Sequence, residues 1–219
     1  MTERFEKDFA LIKYAYENFN MVPKGNEEYE RMISGMQYNR FVPELKVPRI
    51  KTHEKCQRYS SMKLDDFHNP QEFEISQKHQ LKQIFGKIDN TSIIEPPFFL
   101  DYGFNIEIGS YTTIAPFLTI IDGGIVKIGS NVKLGPRVTF ITTTHPLDTV
   151  KRVDEEYEWA RGINIGDFVR IGANVTILAG VSIGDNVVIG ENSVVMRNVP
   201  SNAVFSGIPA RMVKKDGNL

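Results

Sequence analysis

The chain has 219 residues, is 41% hydrophobic and 24% charged, and carries a formal net charge of −1. That length suits one large domain, or one domain with a small appendage. Near-zero net charge excludes general attraction to nucleic acid or to an anionic membrane, and the apolar runs are too short to span a bilayer.

The first residues, Met1-Thr2-Glu3-Arg4-Phe5, lack the uninterrupted apolar core of a secretory signal. Cys56 is the single cysteine, so no internal disulfide can form, and a reduced bystander thiol in a cytoplasmic protein is expected. Over residues 1–22, Phe5, Phe9, Ile12, Tyr16 and Phe19 recur at spacings of four and three, which predicts an amphipathic helix stopped by Pro23 and Gly25. A second helix is expected from Glu27 to Met36. Pro43 and Pro48 then bound an extended link, and a third helix runs from Arg49 to about Met62. The next has Asn69 as N-cap, Pro70 in its first turn and Gly86 just past its end, with Phe73, Leu81, Ile84 and Phe85 inward. Residues 1–92 therefore read as an N-terminal helical segment.

At Pro96-Pro97 the composition changes to strands and corners. From Ile165 the chain divides into sixes: Ile165-Gly166, Ile171-Gly172, Ile177, Ile183-Gly184, Ile189-Gly190 and Val195 each open one. Neither the helical period nor plain strand alternation gives this. A six-residue period is the signature of a parallel β-helix, each six supplying a short strand and a turn, and three sixes closing one triangular coil. The aliphatic position points inward, at roughly 1.5–3 kcal/mol per buried side chain. Gly and Asn after each strand are expected to supply corners of positive φ. The period reaches back through Ile108, Ile114 and Ile120 and through Ile128, Leu134 and Phe140, with two extra residues near Asp122-Gly123-Gly124. A longer interruption follows Phe140; its core, residues 146–162, is charged, and a loop of that length in a compact domain is usually functional or disordered. The β-helix is assigned to residues 93–204 and a basic tail to 205–219.

Ordered motifs narrow the reading. Ser34-Gly35-x-x-Tyr38, Ile94-Glu95-Pro96-Pro97-Phe98, Asp101-Tyr102-Gly103-x-Asn105-Ile106, Thr144-His145-Pro146 and Ser206-Gly207-Ile208-Pro209-Ala210-Arg211 follow one another over roughly residues 28–215. This set resembles the maltose/galactoside/nodulation-factor O-acetyltransferase family of hexapeptide-repeat acyltransferases. The resemblance implies a mainly β fold, a left-handed parallel β-helix with an N-terminal α-helical segment. It also implies a homotrimer with active sites between subunits, acetyl-CoA as co-substrate, a small-molecule acceptor and no metal. The left hand opposes the usual crossover rule and does not follow from spacing.

His53, His68 and His79 fall in the helical region, where exposed structural histidines are common. His145 stands where the repeat breaks, and Pro146 holds it extended. Alone it reads equally as a corner histidine; with the resemblance it matches a general base that takes the proton of an acceptor hydroxyl. Glu158 is the matching carboxylate that orients the ring, and otherwise a solvated loop charge. The resemblance places the thioester's oxyanion donor at Gly172-Ala173; Ala173 has no hydroxyl, so its main-chain N–H takes that role. The pantetheine arm is expected past Glu191 and Met196, and the phosphates near Arg197, Arg211 and Lys214.

On the acceptor side the sequence departs from the family. Arg40 stands where galactoside enzymes carry an acidic residue, Asp101 where they carry a small hydroxyl residue, Ala115 replaces an Asn, Gly123 replaces a second acidic residue, and Arg170 replaces a Trp. Arg40 and Asp101 are expected either to pair with each other or to read a charged acceptor, because an unpaired buried charge is costly. Ala115 and Gly123 are expected to leave a roomier, less polar floor. A zinc enzyme of the γ-carbonic anhydrase kind would need three interface histidines, and the repeat region holds only His145. A nucleotidyltransferase fusion would need a Gly-rich phosphate loop before residue 90, and there is none. A non-catalytic scaffold that has lost its acceptor pocket is the alternative from another functional class.

Overall fold

A computed structural model describes residues 4–146, 148–149 and 157–215. Among the described residues, four α-helices and a short 3-10 turn, Leu64–Asp66, precede the strands. Helix α1, Phe9–Asn18, begins where the Asp8 carboxylate accepts the N–H of Leu11. It is shorter at both ends than the aromatic spacing predicts. Ile12, Ala15 and Phe19 are buried, whereas Phe5 and Phe9 are 80% and 75% exposed, so the apolar stripe is narrower than its sequence pattern. Helix α2, Glu27–Ser34, is capped by Asn26 and ended by Gly35 at φ 79°.

Helix α3 corrects the expected extended link. It runs from Pro43 to Ser60 with Pro48 inside it. Pro43 occupies the first turn, where no N–H is needed. Pro48 already has a helical φ and costs one hydrogen bond in the second turn. Burial of Leu45, Thr52, Cys56 and Tyr59 along one stripe offsets that loss. Helix α4, Pro70–Ile84, starts at its Asn69 cap as expected; Leu81, Ile84 and Phe85 are buried, but Phe73 is only half-buried, against Phe67.

The remaining strands build a parallel solenoid of three faces. The first face stacks Lys87–Ile88, Ile106–Ile108, Val126–Ile128, Ile163–Ile165 and Ser182–Ile183. The second stacks Ile93–Ile94, Thr113–Ile114, Lys133–Leu134, Arg170–Ile171, Val188–Ile189 and Ala203–Gly207. The third stacks Phe98–Leu100, Leu118–Ile121, Thr139–Ile141, Thr176–Leu178 and Val194–Val195. The aliphatic position of every six points inward, so Leu100, Ile120, Phe140, Ile177 and Val195 form one buried column. The solenoid starts at Lys87, ahead of residue 93. Its far end is closed by the segment expected to be a free tail: Ala203–Gly207 continues the second face and Ala210–Lys215 turns back antiparallel to it.

Asparagine supplies the positive-φ corners as expected, at Asn131, Asn174, Asn186 and Asn192, with Phe168 in the same place on one coil, whereas the glycine two residues before each of them does not take a positive φ. Glycine instead supplies room between coils. A Cβ on Gly166 would lie 2.8 Å from the backbone of Gly184, and one on Gly135 would lie 2.7 Å from the nitrogen of Ala173. Extra residues collect at one edge, between the third and first faces: 101–105 on one coil, 122–125 on the next and the long loop on the third.

Candidate active site

The long loop leaves and re-enters at that edge as a short antiparallel ladder. Thr143 faces Ala160 and Thr144 faces Trp159. Continued by one residue, this register sets His145 across from Glu158, close enough for their side chains to meet. His145 Nε2 lies 3.7 Å from Glu158 Oε2. The imidazole is 54% exposed and the carboxylate 6%. Of the loop between them, residues 147 and 150–156 lie outside the described residues, including Lys151, Arg152, Asp154, Glu155 and Glu156.

Glu158 is fixed from behind by the N-terminal helical piece. Its carbonyl accepts the N–H of Tyr38 at 3.1 Å, and its Oε1 accepts the Tyr38 hydroxyl. Tyr38 is wholly buried, and burial, together with Glu158, holds its phenol well above the usual range, so it stays a donor. Arg40, two residues on, sets Nη1 3.4 Å from Glu158 Oε2. Asp101 pairs instead with His53 of α3, Oδ1 to Nε2 at 3.6 Å. Burial raises the Asp101 carboxyl, and Arg49, His53 and Arg40 oppose the rise. Arg40 and Asp101 thus have separate partners rather than pairing with each other.

Gly123 does not open space. A Cβ there would lie 2.7 Å from both the Tyr38 hydroxyl and the Thr143 methyl, so the room is already filled and the expected roomier floor is absent at this position. Ala115 lies elsewhere, at the edge between the second and third faces, where its N–H donates to Leu134. Ala173 occupies the same edge on a later coil, stacked with Pro136 below and Glu191 above, as their backbone contacts show. Among the described residues the Ala173 N–H has no acceptor. Arg211 pairs in register with Ser206 beside this edge, and Lys214 sits further along the same strand. Glu191 contacts Arg170 at 3.8 Å, both exposed. Met196 and Arg197 are exposed at the other edge, following the last strand of the third face, and so do not join the Ala173 group.

The expected site residues therefore fall in two groups, separated by the breadth of the third face. His145, Glu158, Arg40, Asp101 and Gly123 stand at one edge; Ala115, Ala173, Glu191 and Arg211 stand at the other. The sequence reading missed the tasks of Tyr38, quoted only as a motif residue, and of His53, set aside as structural. No spacing signal links Tyr38 to Glu158 across so many residues.

The region 162–197 matches the family model for the bacterial transferase hexapeptide (six repeats), and 31–89 matches that for the maltose acetyltransferase hexapeptide capping motif. A sophorolipid acetyltransferase of Starmerella bombicola is 36% identical over 98% of this chain and 83% of its own. The chain belongs to the maltose/galactoside/nodulation-factor O-acetyltransferase family. Among solved members, a maltose O-acetyltransferase from Clostridium difficile 630 superposes with a TM-score of 0.81 at 32% identity, covering 87% of this chain and 98% of that one. A galactoside acetyltransferase in complex with coenzyme A gives 0.79 at 32% identity, covering 87% and 91%. This family member is an acetyltransferase, and its parallel solenoid with a helical N-terminal cap is the fold of those relatives.

Proposed function

We propose that the chain transfers an acetyl group from acetyl-CoA to a hydroxyl of a small acceptor, with His145 as general base. The observation that carries this is the His145–Glu158 pair, backed by Tyr38 and Arg40. With Nε2 turned to the Glu158 carboxylate, a neutral ring keeps its proton there and leaves the Nδ1 lone pair to take the acceptor's proton. Glu158 then steadies the imidazolium as it forms. A separation of 3.7 Å is long for a hydrogen bond, and such contacts tighten once substrates bind.

The relative complexed with coenzyme A supports that co-substrate for this chain. The second–third edge suits it: the Ala173 N–H has no acceptor among the described residues and can meet the thioester oxygen as it gains charge. Glu191 flanks the path of the pantetheine arm, and Arg211 and Lys214 suit the phosphates. Met196 and Arg197, at the other edge, fit this role only from a neighbouring copy. The half-sites complete each other if copies associate, and a homotrimer is the assembly we infer. The uncharged outward side chains of the third face, Thr119, Ile121, Thr139, Ile141, Thr176 and Leu178, suit packing against another copy.

The acceptor differs from a plain galactoside or maltose, because Arg40, Asp101, Ala115 and Gly123 replace the family's sugar-contacting residues, and a site built to hold hydroxyls discriminates strongly when those partners go. Thiol release from acetyl-CoA, measured with a panel of hydroxylated acceptors, tests the reading. Wild type releases thiol only with acceptor present, and His145→Ala is slower by about 10²–10⁴. No acceptor-dependent release in wild type would favour a scaffold.

A further inference from the structure

Along the second face the outward side chains stack in register as Ile93, Thr113, Lys133, Arg170, Val188 and Val204. The column is uncharged except on its two middle coils, where Lys133 and Arg170 stand side by side. Adjacent strands lie about 4.8 Å apart, so like charges in that register repel each other. The core does not need them, because the inward Leu134 and Ile171 fill it on both coils. Glu191 reaches Arg170 Nη2 at 3.8 Å, with both side chains exposed, whereas Lys133 is exposed and has no carboxylate partner among the described residues. The pair therefore keeps a surplus of positive charge. Arg137 adds to it from the adjoining corner, two residues past Gly135, with its guanidinium 5.7 Å from the centre of the Phe117 ring.

This charge sits at the height of the chemistry. The loop bearing His145 leaves after Thr139–Ile141 and returns at Ile163–Ile165, on the same two coils as Lys133 and Arg170. Copies related by rotation about an axis along the solenoid keep equal coils level. His145 of one copy then stands level with the cationic pair of the next. Arg170 lies three residues before Ala173, at most ~10 Å of chain. The phosphates of the coenzyme are assigned to Arg211 and Lys214 on a later coil, so they do not call for this pair. We propose that the acceptor carries an anionic group, a carboxylate or a phosphate, held by Lys133 and Arg170 while its hydroxyl meets His145 of the neighbouring copy. An arginine fork and a lysine point charge suit such an oxyanion. The reaction is the one proposed above: the acceptor oxygen forms the ester bond, the thioester C–S bond breaks, and the proton passes through His145 to the leaving thiolate. The proposal rests on that acetyl-transfer reading and on the association of copies.

The probes are two matched sets of acceptors: glucose, glucuronate and glucose 6-phosphate, and glycerol, glycerate and glycerol 3-phosphate. In wild type, kcat/KM for an anionic member exceeds that of its neutral counterpart by at least about tenfold, as a charge-assisted contact requires. In the double variant Lys133→Gln, Arg170→Gln the anionic-to-neutral ratio drops by at least about fivefold, and light scattering shows the variant still assembled. No preference in wild type, a ratio that persists in the variant, or a loss carried instead by the KM for acetyl-CoA overturns the proposal. Dissociation of the variant assigns the pair to packing between copies and overturns it too. If no member of either set is acetylated, the transfer reading fails on these acceptors, and calorimetry in saturating coenzyme A judges the pair separately. Glucose 6-phosphate that binds wild type, and binds the double variant at least about fivefold more weakly, supports the anion site; equal binding, or none, overturns it.

Discussion

Tyr38 and Glu158, far apart in sequence, meet twice: the Tyr38 N–H donates to the Glu158 carbonyl at 3.1 Å, and the Tyr38 hydroxyl donates to the Glu158 carboxylate. The first contact fixes the backbone of the returning loop. The second aims the carboxylate. Removing the hydroxyl alone separates these tasks. Tyr38→Phe keeps the ring that fills the core and the N–H that joins the strands, but leaves Oε1 without its donor. We expect kcat to fall by about tenfold, which corresponds to losing ~1.4 kcal/mol of orientation, with little change in KM for acetyl-CoA. Steady-state kinetics decides it; equal losses in kcat and in thermal stability would mean that the hydroxyl serves packing only.

Arg40 shares the Glu158 oxygen that faces His145, at 3.4 Å against 3.7 Å. An arginine there draws the carboxylate's charge away from the imidazole. Arg40→Gln removes one of the contacts that hold the Glu158 carboxylate beside His145. We expect kcat to fall by about threefold, the ~0.7 kcal/mol that a partly exposed ion pair carries, with little change in KM for acetyl-CoA. Steady-state kinetics checks it; an unchanged kcat contradicts the pairing.

Asp122 is wholly buried, with one oxygen accepting the Tyr102 N–H at 2.8 Å and the other without a partner among the described residues. Burial pushes its carboxyl up from 3.8 to about 7. A raised carboxyl is held protonated in the folded chain over a range where the unfolded chain has already lost its proton. The native state therefore binds more protons, and stability falls as pH rises from about 4 to about 7. The Asp101 carboxyl, also raised by burial, adds a term of the same sign. Asp8 and Glu30, whose carboxyls are lowered by hydrogen bonds from Leu11 and Lys7, run the other way, so the readout is a difference. Asp122→Asn should gain on wild type steadily across that window, by a few kcal/mol at most. Guanidinium midpoints at fixed protein concentration, from pH 4 to 8, measure it. A gap that does not change with pH contradicts the buried titration.

The role given to the Ala173 N–H cannot be tested at its own side chain. Gly135 gives access to it, because a Cβ there would lie 2.7 Å from the Ala173 nitrogen. Gly135→Ala should displace that N–H and lower kcat by at least tenfold, part of the roughly 10²–10³ that a full oxyanion donor carries. Gly184→Ala is the control: its Cβ meets Ser201 at 2.4 Å and strains another corner of the stack. Both should lose stability, but only the first should lose turnover out of proportion.

The solenoid was legible because inward positions recur at a fixed six, and each coil repeats the same burial. The helical piece was less so. Pro48 reads as a breaker, yet α3 passes through it, since burial of Leu45, Thr52 and Cys56 outweighs one missing hydrogen bond. Phe5 and Phe9 fit a helical stripe that none of the described residues covers. At the candidate site, Pro146 and the break in the repeat single out His145, but its role and the choice of Glu158 came from the family resemblance. What Arg40 and Asp101 touch was not legible: the choice between Glu158, His53 and each other depends on how a loop and a helix fold against the first coil, and pairwise spacing carries no trace of it. Gly123 misled for the same reason. A missing side chain reads as empty space until the neighbour that fills it, here Tyr38, is known.

The central claim is that one working site takes its base from one copy and its Ala173 edge from another. Mixing two crippled chains tests it most directly. His145→Ala spoils one half-site and Gly135→Ala the other, so each variant assembled alone should be nearly inactive. Unfolded together and refolded as mixed assemblies, some interfaces pair an intact His145 with an intact Ala173 edge. The account predicts thiol release from acetyl-CoA well above the average of the two parents, reaching a sizeable fraction of wild type. Mixed assemblies no more active than that average, or a stable monomer that still turns over, would contradict it.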